Sequence, residues 1–274
     1  MITLVNFADK KFETQRWWNS VSAKLIGGFD KVLEYGPADL DDSFISSHKH
    51  ILHCKKGYGN YCWKPYIINR ALEQVKDEDY LFYADSGSFF IKSIKPLVEI
   101  LKQGNKDMMC FRLPLIEKQW TKRDALILMD CDDPEYYNTA QVMGTFILVK
   151  KSEVSVRFFK KFEELSVDSR IISDEPNVLG KENYPGFIAH RHDQSILSLM
   201  AKKNGVTVAD DPSDYGLFPK RYIRNDKSLF DPNLMNPGKG TVATVLLNRK
   251  VHPFIYLLKH MARITLYKSG IVKA

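Results

Sequence analysis

Tyr80-Leu-Phe-Tyr-Ala84 is an aromatic and apolar run without alternation, and it constrains the fold more than any other stretch of the 274-residue chain. A strand of that kind must be buried on both faces, which requires a sheet with helices packed above and below it. The run ends on Asp85-Ser86-Gly87. A carboxylate at the carboxyl end of such a strand lies at the crevice where open α/β sheets bind their ligands. The alternative is a capped turn, since Asp-Ser-Gly is also good turn chemistry.

The rest of the pattern agrees with alternating strands and helices around a mostly parallel sheet. Strands are expected over 2–7, 31–35, 106–112, 142–149 and 207–209. Helices are expected over 13–24, with Trp17, Val21 and Leu25 at helical spacing, and over 65–75, 94–102, 153–165 and 193–203. A last helix, 253–268, carries Phe254, Leu257, Leu258, Met261 and Ile264 on one side, with Lys259, Arg263 and Lys268 near its edge. The division expected is one domain over 1–246 and a basic amphipathic extension over 247–274. Two long polar and aromatic loops, 113–138 and 210–239, have the character of lids or binding loops.

The net charge of +7 is concentrated at one end. Residues 219–274 carry eleven Lys and Arg against Asp226 and Asp231, and the remainder is slightly acidic. A basic tail on a near-neutral body suits an anionic surface or ligand and argues against a nucleic-acid protein. The tail is therefore expected to meet a membrane surface peripherally, or else to dock on the body with its lysines in water. Four cysteines without paired metal spacing, and a start lacking the features of a signal peptide, lead to the expectation of a reduced, cytoplasmic setting.

Three further groups carry chemistry. Gly57-Tyr-Gly59 followed by Trp63-Lys64-Pro65 combines close backbone approach with a point charge suited to phosphate, or else is a loop over an aromatic plug. His190-Arg191-His192-Asp193-Gln194-Ser195 gathers more polar side chains at a helix start than capping needs, which suits anion binding and acid–base work. Trp120-Thr-Lys-Arg123-Asp124 offers an aromatic face for a sugar and a guanidinium for phosphate, or else a loop anchored by Trp120. Gln141 precedes a strand that Gly144 interrupts, a place where a ligand often approaches closely.

On these motifs the chain resembles the GT-A class of nucleotide-sugar-dependent glycosyltransferases, over residues 1 to about 210. It is similar in particular to a group of bacterial and viral polysaccharide transferases with Trp-Lys-Pro, Asp-x-Gly and His-Arg-His-Asp-Gln-Ser motifs. The resemblance implies a Rossmann-like GT-A domain and a hexosyl- or pentosyltransferase. Such an enzyme would move a sugar from a nucleotide diphosphate, UDP-linked by expectation, to a glycan or lipid-linked acceptor. It implies donor contacts at Phe7, Ala8, Asp9, Lys64, Asp85, Ser86, Gly87, Arg123, His190 and Arg191. Acceptor contacts would fall at Trp120, Gln141 and Gly144, and the catalytic groups would be Asp193, Gln194 and His192. A divalent ion, manganese or magnesium, would be held by Asp85 and His252, although Gly87 stands where the class has its second aspartate. The Asp193-Gln194 helix start is similar to that of retaining transferases of the glycogenin and bacterial galactosyltransferase group. The competing expectation is a non-catalytic sugar-nucleotide or glycan-binding protein on the same scaffold.

Overall fold

The computed structural model describes residues 1–223, 227–234 and 243–271, so parts of the 210–239 loop and the last three residues of the expected extension lie outside the described residues. The chain opens with β1 (Ile2–Phe7), α1 (Glu13–Ser22) and β2 (Lys31–Tyr35). The short segments α2 (Asp42–Ser47), α3 (Lys49–Leu52) and α4 (Gly57–Asn60) lead into α5 (Trp63–Glu73) and the central strand β3 (Tyr80–Ala84). Next come β4 (Phe89–Phe90), α6 (Lys95–Gln103), β5 (Met108–Ile116), α7 (Arg123–Leu128), α8 (Pro134–Tyr137), β6 (Ala140–Val142) and β7 (Phe146–Lys150). The order closes with α9 (Glu153–Ser166), α10 (Ser169–Ile172), α11 (Asp193–Lys203), β8 (Thr207–Ala209), α12 (Asp214–Leu217), β9 (Val245–Leu246) and α13 (Pro253–Lys268).

Seven strands form the main sheet in the order β2-β1-β3-β7-β5-β6, with β8 on β5. β1 is parallel to β2 and β3, and β5 is parallel to β8, whereas β7 is antiparallel to β3 and β5 and β6 is antiparallel to β5. Five strands therefore run one way and β7 and β6 run the other. β3 earns its apolar sequence: Leu81 and Tyr83 enter one core with Trp63, Ile67 and Phe159, and Phe82 and Ala84 enter the other with Phe29, Phe90 and Ile94. The result is the layered α/β architecture expected, with helices covering both faces of the sheet.

Two local expectations are corrected. α1 turns its polar side inward, leaving Trp17 55% exposed, and Leu25, in the π-helical turn 23–27 that continues it, is 78% exposed. Its buried Asn19 accepts from Asn6 at 2.8 Å and donates to the Ser88 carbonyl at 3.0 Å, while Ser20 accepts from Asn6 at 3.1 Å. Because Asn6 is a buried polar residue on β1, a helix with matching polar groups must face it. The single strand expected over 142–149 is two, β6 and β7, broken at Gly144, whose backbone bonds leave the ladder for side chains of α5 and α11.

The C-terminal extension is tied to the body. β9 pairs with β4. The Tyr256 hydroxyl on α13 donates to Asp214 at 2.8 Å and accepts from Arg221 at 2.6 Å. Only Pro253, Tyr256 and His260 of α13 are buried, while Phe254, Leu258 and Met261 remain more than half exposed. No helix among the described residues is long and apolar enough to cross a membrane, and all four cysteines are free.

Candidate functional site

The carboxyl ends of β1 and β3 lie side by side because the strands are parallel neighbours, and Ser86 fastens them by donating from Oγ to the Phe7 carbonyl at 2.7 Å. Phe7 is buried and stacks on Trp63 with ring centroids 3.8 Å apart. That stack fixes the start of α5, and the next residue is Lys64. Ala8 donates its amide to the Tyr35 carbonyl at the same edge, and Asp9 closes a turn by accepting from the Lys11 amide at 3.0 Å.

The approach to α5 has an unusual backbone. Gly57, Tyr58, Gly59, Asn60 and Tyr61 all have positive φ, from 51° to 82°. A side chain on Gly59 would place its Cβ 2.9 Å from the Leu52 Cα, so glycine is required there on space as well as on φ. Trp63 closes the turn by donating from Nε1 to the Gly57 carbonyl at 2.9 Å. The two glycines serve this left-handed turn, which sends Lys64 beneath the strand ends.

Lys64 is buried, and its Nζ is the centre of the site. It lies 2.5 Å from Asp193 Oδ2 and 3.5 Å from Asp85 Oδ1, and it donates to the Gly144 carbonyl at 2.9 Å. The Tyr83 ring is 4.9 Å away, and the Tyr83 hydroxyl donates to Asp85 at 2.7 Å. Burial opposes the Lys64 charge, but Asp193 and Asp85 outweigh it and hold the pKa above the ordinary lysine value. Burial pushes the Asp193 carboxyl up to about 6 against the pull of Lys64.

Gly144 is where three elements converge. Its amide donates to Gln194 Oε1 at 3.1 Å, and a Cβ there would meet Asp193 Oδ2 at 3.1 Å and the Gln194 Cβ at 3.2 Å. Gln194 also donates to Gln141 Oε1 at 2.8 Å, and Gln141 donates to the buried Glu117 at 3.0 Å. Asp193, Gln194, Gln141, Gly144, Lys64 and Asp85 are thus joined in one network around the ends of β1, β3 and β6.

Other residues singled out by sequence have different surroundings. His190 is buried, its Nδ1 accepting from the Lys122 amide at 3.2 Å and its Nε2 donating to the Ile171 carbonyl at 2.8 Å. Burial, then His192 and Lys122, depress its pKa well below the usual histidine value, so it bridges α7 and α10 as a neutral ring. His192 caps α11 at φ 54° and ψ −122°, donates from Nδ1 to the Ile172 carbonyl at 2.8 Å, and has Nε2 3.5 Å from Asp174. Its pKa is lowered, chiefly by burial. The Arg191 guanidinium covers the Trp120 ring at 4.1 Å. Arg123 grips Asp132 through two nitrogens, each 2.9 Å from a carboxylate oxygen, and stacks on Tyr184 at 3.9 Å. A polar surface hollow lined by Asp41, Tyr66, Arg70 and Glu163 shares no residue with the Lys64 network.

Tyr83 and the turn at Arg249 were not singled out by sequence reading. Tyr83 is masked within an apolar strand, and Arg249 has no local signal at all. Arg249, at φ 52°, donates its amide to the Gly87 carbonyl at 2.7 Å. A Cβ on Gly87 would stand 3.1 Å from the Arg249 Cα, so the backbone of this turn occupies the space a second carboxylate would need.

A protein-held divalent ion does not fit these residues. Asp85 is the one carboxylate at the strand end, and its Oδ1 already faces the Tyr83 hydroxyl and the Lys64 ammonium. His252 sets its ring against the indole of Trp18 at 5.8 Å. Among the described residues no three His, Cys, Asp or Glu side chains are grouped closely enough to hold an ion. The expected Asp85–His252 pair would offer two protein donors, with the Lys64 ammonium 3.5 Å from one of them.

No protein-family model matches the sequence, and no curated protein matches it. Solved structures do resemble it. The apo structure of the bifunctional glycosyltransferase WbbM matches with a TM-score of 0.50 at 12% identity, over 97% of this chain and 51% of that one. The galactosyltransferase LgtC, in complex with donor and acceptor sugar analogues, gives a TM-score of 0.49 at 13% identity and 95% coverage of both chains. Mouse xyloside xylosyltransferase 1, in its apo form, gives 0.45 at 10% identity, over 86% of this chain and 98% of that one. The fold is that of GT-A glycosyltransferases. At these identities the likeness is one of fold, and the chain spans about half the length of WbbM.

Proposed function

We propose that the chain is a glycosyltransferase that moves a sugar from a nucleotide diphosphate, UDP-linked by our reading, to a hydroxyl of a glycan or lipid-linked acceptor. The observation that carries this is the buried Lys64 ammonium joining Asp193 and Asp85 beside Gly144, at the strand edge where α/β folds bind ligands. In the transfer, the bond from the anomeric carbon to the diphosphate oxygen breaks and a bond to the acceptor oxygen forms. The acceptor proton leaves to the departing diphosphate or to solvent. Asp193 faces the charge that develops on the sugar, and Gln194 is held rigidly by Gly144 and Gln141 to orient the sugar beside it. The Asp193 oxygen that would take a proton is already held by the Lys64 ammonium at 2.5 Å, and an acceptor hydroxyl would have to displace it. The reading is therefore retention of configuration, without a carboxylate base acting on the acceptor.

Incubation with a panel of nucleotide sugars, following donor hydrolysis and transfer by NMR of the anomeric proton, tests the reading. Turnover of one donor, lost in Asp193→Asn, is expected. Binding of nucleotide sugars without turnover on any acceptor would instead make the chain a binding protein on this scaffold, and an inverted anomer would reject retention. The acceptor side is read as membrane-associated: Phe254, Ile255, Leu258 and Met261 are exposed on α13 beside Lys250, Lys259 and Lys268, an arrangement complementary to an anionic lipid surface.

A further inference from the structure

Transfer from a nucleotide diphosphate needs positive charge near the leaving phosphates, and the residues at the end of β3 do not build a divalent-ion site. What stands there is the turn 248–251. Its Arg249 is paired through the backbone with Gly87. The next residue, Lys250, reaches over Phe12 with Nζ 5.6 Å from the ring, and the Phe12 amide is bonded to the Asp9 carbonyl just past β1. The turn thus spans both strand ends that frame the Lys64 network. It is also rigidly held. Asn248 is buried and donates from Nδ2 to the Val251 carbonyl at 2.7 Å, and the Leu247 amide donates to the buried Asp214 at 2.9 Å. Both cationic side chains remain exposed, with aromatic rings beneath them: Arg249 lies 5.4 Å from the centroid of Tyr215.

We propose that this chain binds the diphosphate of its donor without a divalent ion, the charge being supplied by Arg249 and Lys250 on the 248–251 turn. The proposal rests on the transferase reading for the identity of the ligand but makes a separate claim about charge. Gly87 is then glycine because the cationic turn packs against it.

The test uses inorganic pyrophosphate and manganese as separate probes of the full-length protein. Calorimetric titration of pyrophosphate into EDTA-treated protein is expected to saturate, and the Arg249→Gln/Lys250→Gln variant is expected to bind at least about tenfold more weakly. Both substitutions are on exposed side chains, and an unchanged melting temperature certifies the fold. The electron paramagnetic resonance signal of free manganese is expected to be undiminished by the protein. The proposal is overturned if pyrophosphate binds only with manganese, binds in neither condition, or binds the double variant equally well. Manganese binding that disappears in Asp85→Asn overturns it too. Donor turnover that requires manganese would reject this inference while leaving the transferase reading standing. Absence of turnover with intact pyrophosphate binding would do the reverse.

Discussion

Replacing Lys64 with methionine keeps most of the buried stem and removes the ammonium that three oxygens face. The Gly144 carbonyl, 2.9 Å away, would lose its side-chain donor, at about 1–3 kcal/mol. Asp193 would be left buried without its partner, and breaking a buried pair from one side costs about 3–5 kcal/mol while the remaining group stays charged. Asp85 is half-exposed, so its loss is screened and adds nothing to the reckoning. Asp193 has a way out, because it can take up a proton. Its folded-state pKa, about 6, already lies above the usual aspartate value. The stability this shift represents is fully present below the unfolded pKa, about 4, and is lost as pH rises through the folded value. Without Lys64 the folded value rises further, so the variant keeps losing stability at pH values where the wild type has levelled off. Urea unfolding followed by circular dichroism should therefore show a loss of about 1–3 kcal/mol at pH 5, where the carbonyl dominates, and about 3–5 kcal/mol at pH 8. The Lys64→Met/Asp193→Asn double variant should recover the pH-dependent part. An equal loss at both pH values, or a loss under about 1 kcal/mol at pH 8, would refute a charged Lys64–Asp193 pair.

Asp211 is buried and pushed up to about 6, chiefly by burial, against hydrogen bonds from Tyr222 and Ser213. Its stabilising protonation is lost as pH rises through 6, so Asp211→Asn should gain on the wild type by about 2–3 kcal/mol between pH 4 and pH 8 in urea titrations. Gly144→Ala should lower stability by about 1–3 kcal/mol through contact with Asp193 and Gln194, measured by thermal unfolding. Serine at Phe254, Leu258 and Met261 together should abolish co-sedimentation with phosphatidylserine vesicles, while the melting temperature, set by the buried Tyr256 and His260 side, stays within a few degrees. Unchanged sedimentation would assign the exposed face of α13 some other role.

The central strand, the span of α9 and the start of α11 at Asp193 were legible in sequence because each depends on local pattern alone. α1 was not. Its buried side is polar, and only the knowledge that Asn6 and Ser88 lie opposite makes Asn19 and Ser20 the inward residues. Gly144 was legible as an interruption of its strand, but its partners were not, since its backbone bonds go to Lys64 and Gln194, far away in the chain. The motifs around the site were visible as separate pieces, and Asp85, Lys64 and Asp193 do meet. Sequence could not show that Lys64 would be the hub, nor that the histidine pair would spend three ring nitrogens on backbone groups. Arg249 had no signature, because its importance comes from a backbone contact to Gly87.

The left-handed turn at 57–61 has a consequence for the order in which the molecule assembles. Outside glycine that backbone hand costs about 1–2 kcal/mol per residue, and three of the five residues are not glycine. An unfolded chain rarely visits such a stretch, so it cannot act as a nucleus. It closes only once Phe7 and Trp63 have stacked, which needs β1 and α5 already in place. Lys64 therefore reaches its two carboxylates late in folding. The same strain makes this segment among the first to open in the native state, so amides 57–62 should exchange with solvent deuterium ahead of the strands they adjoin.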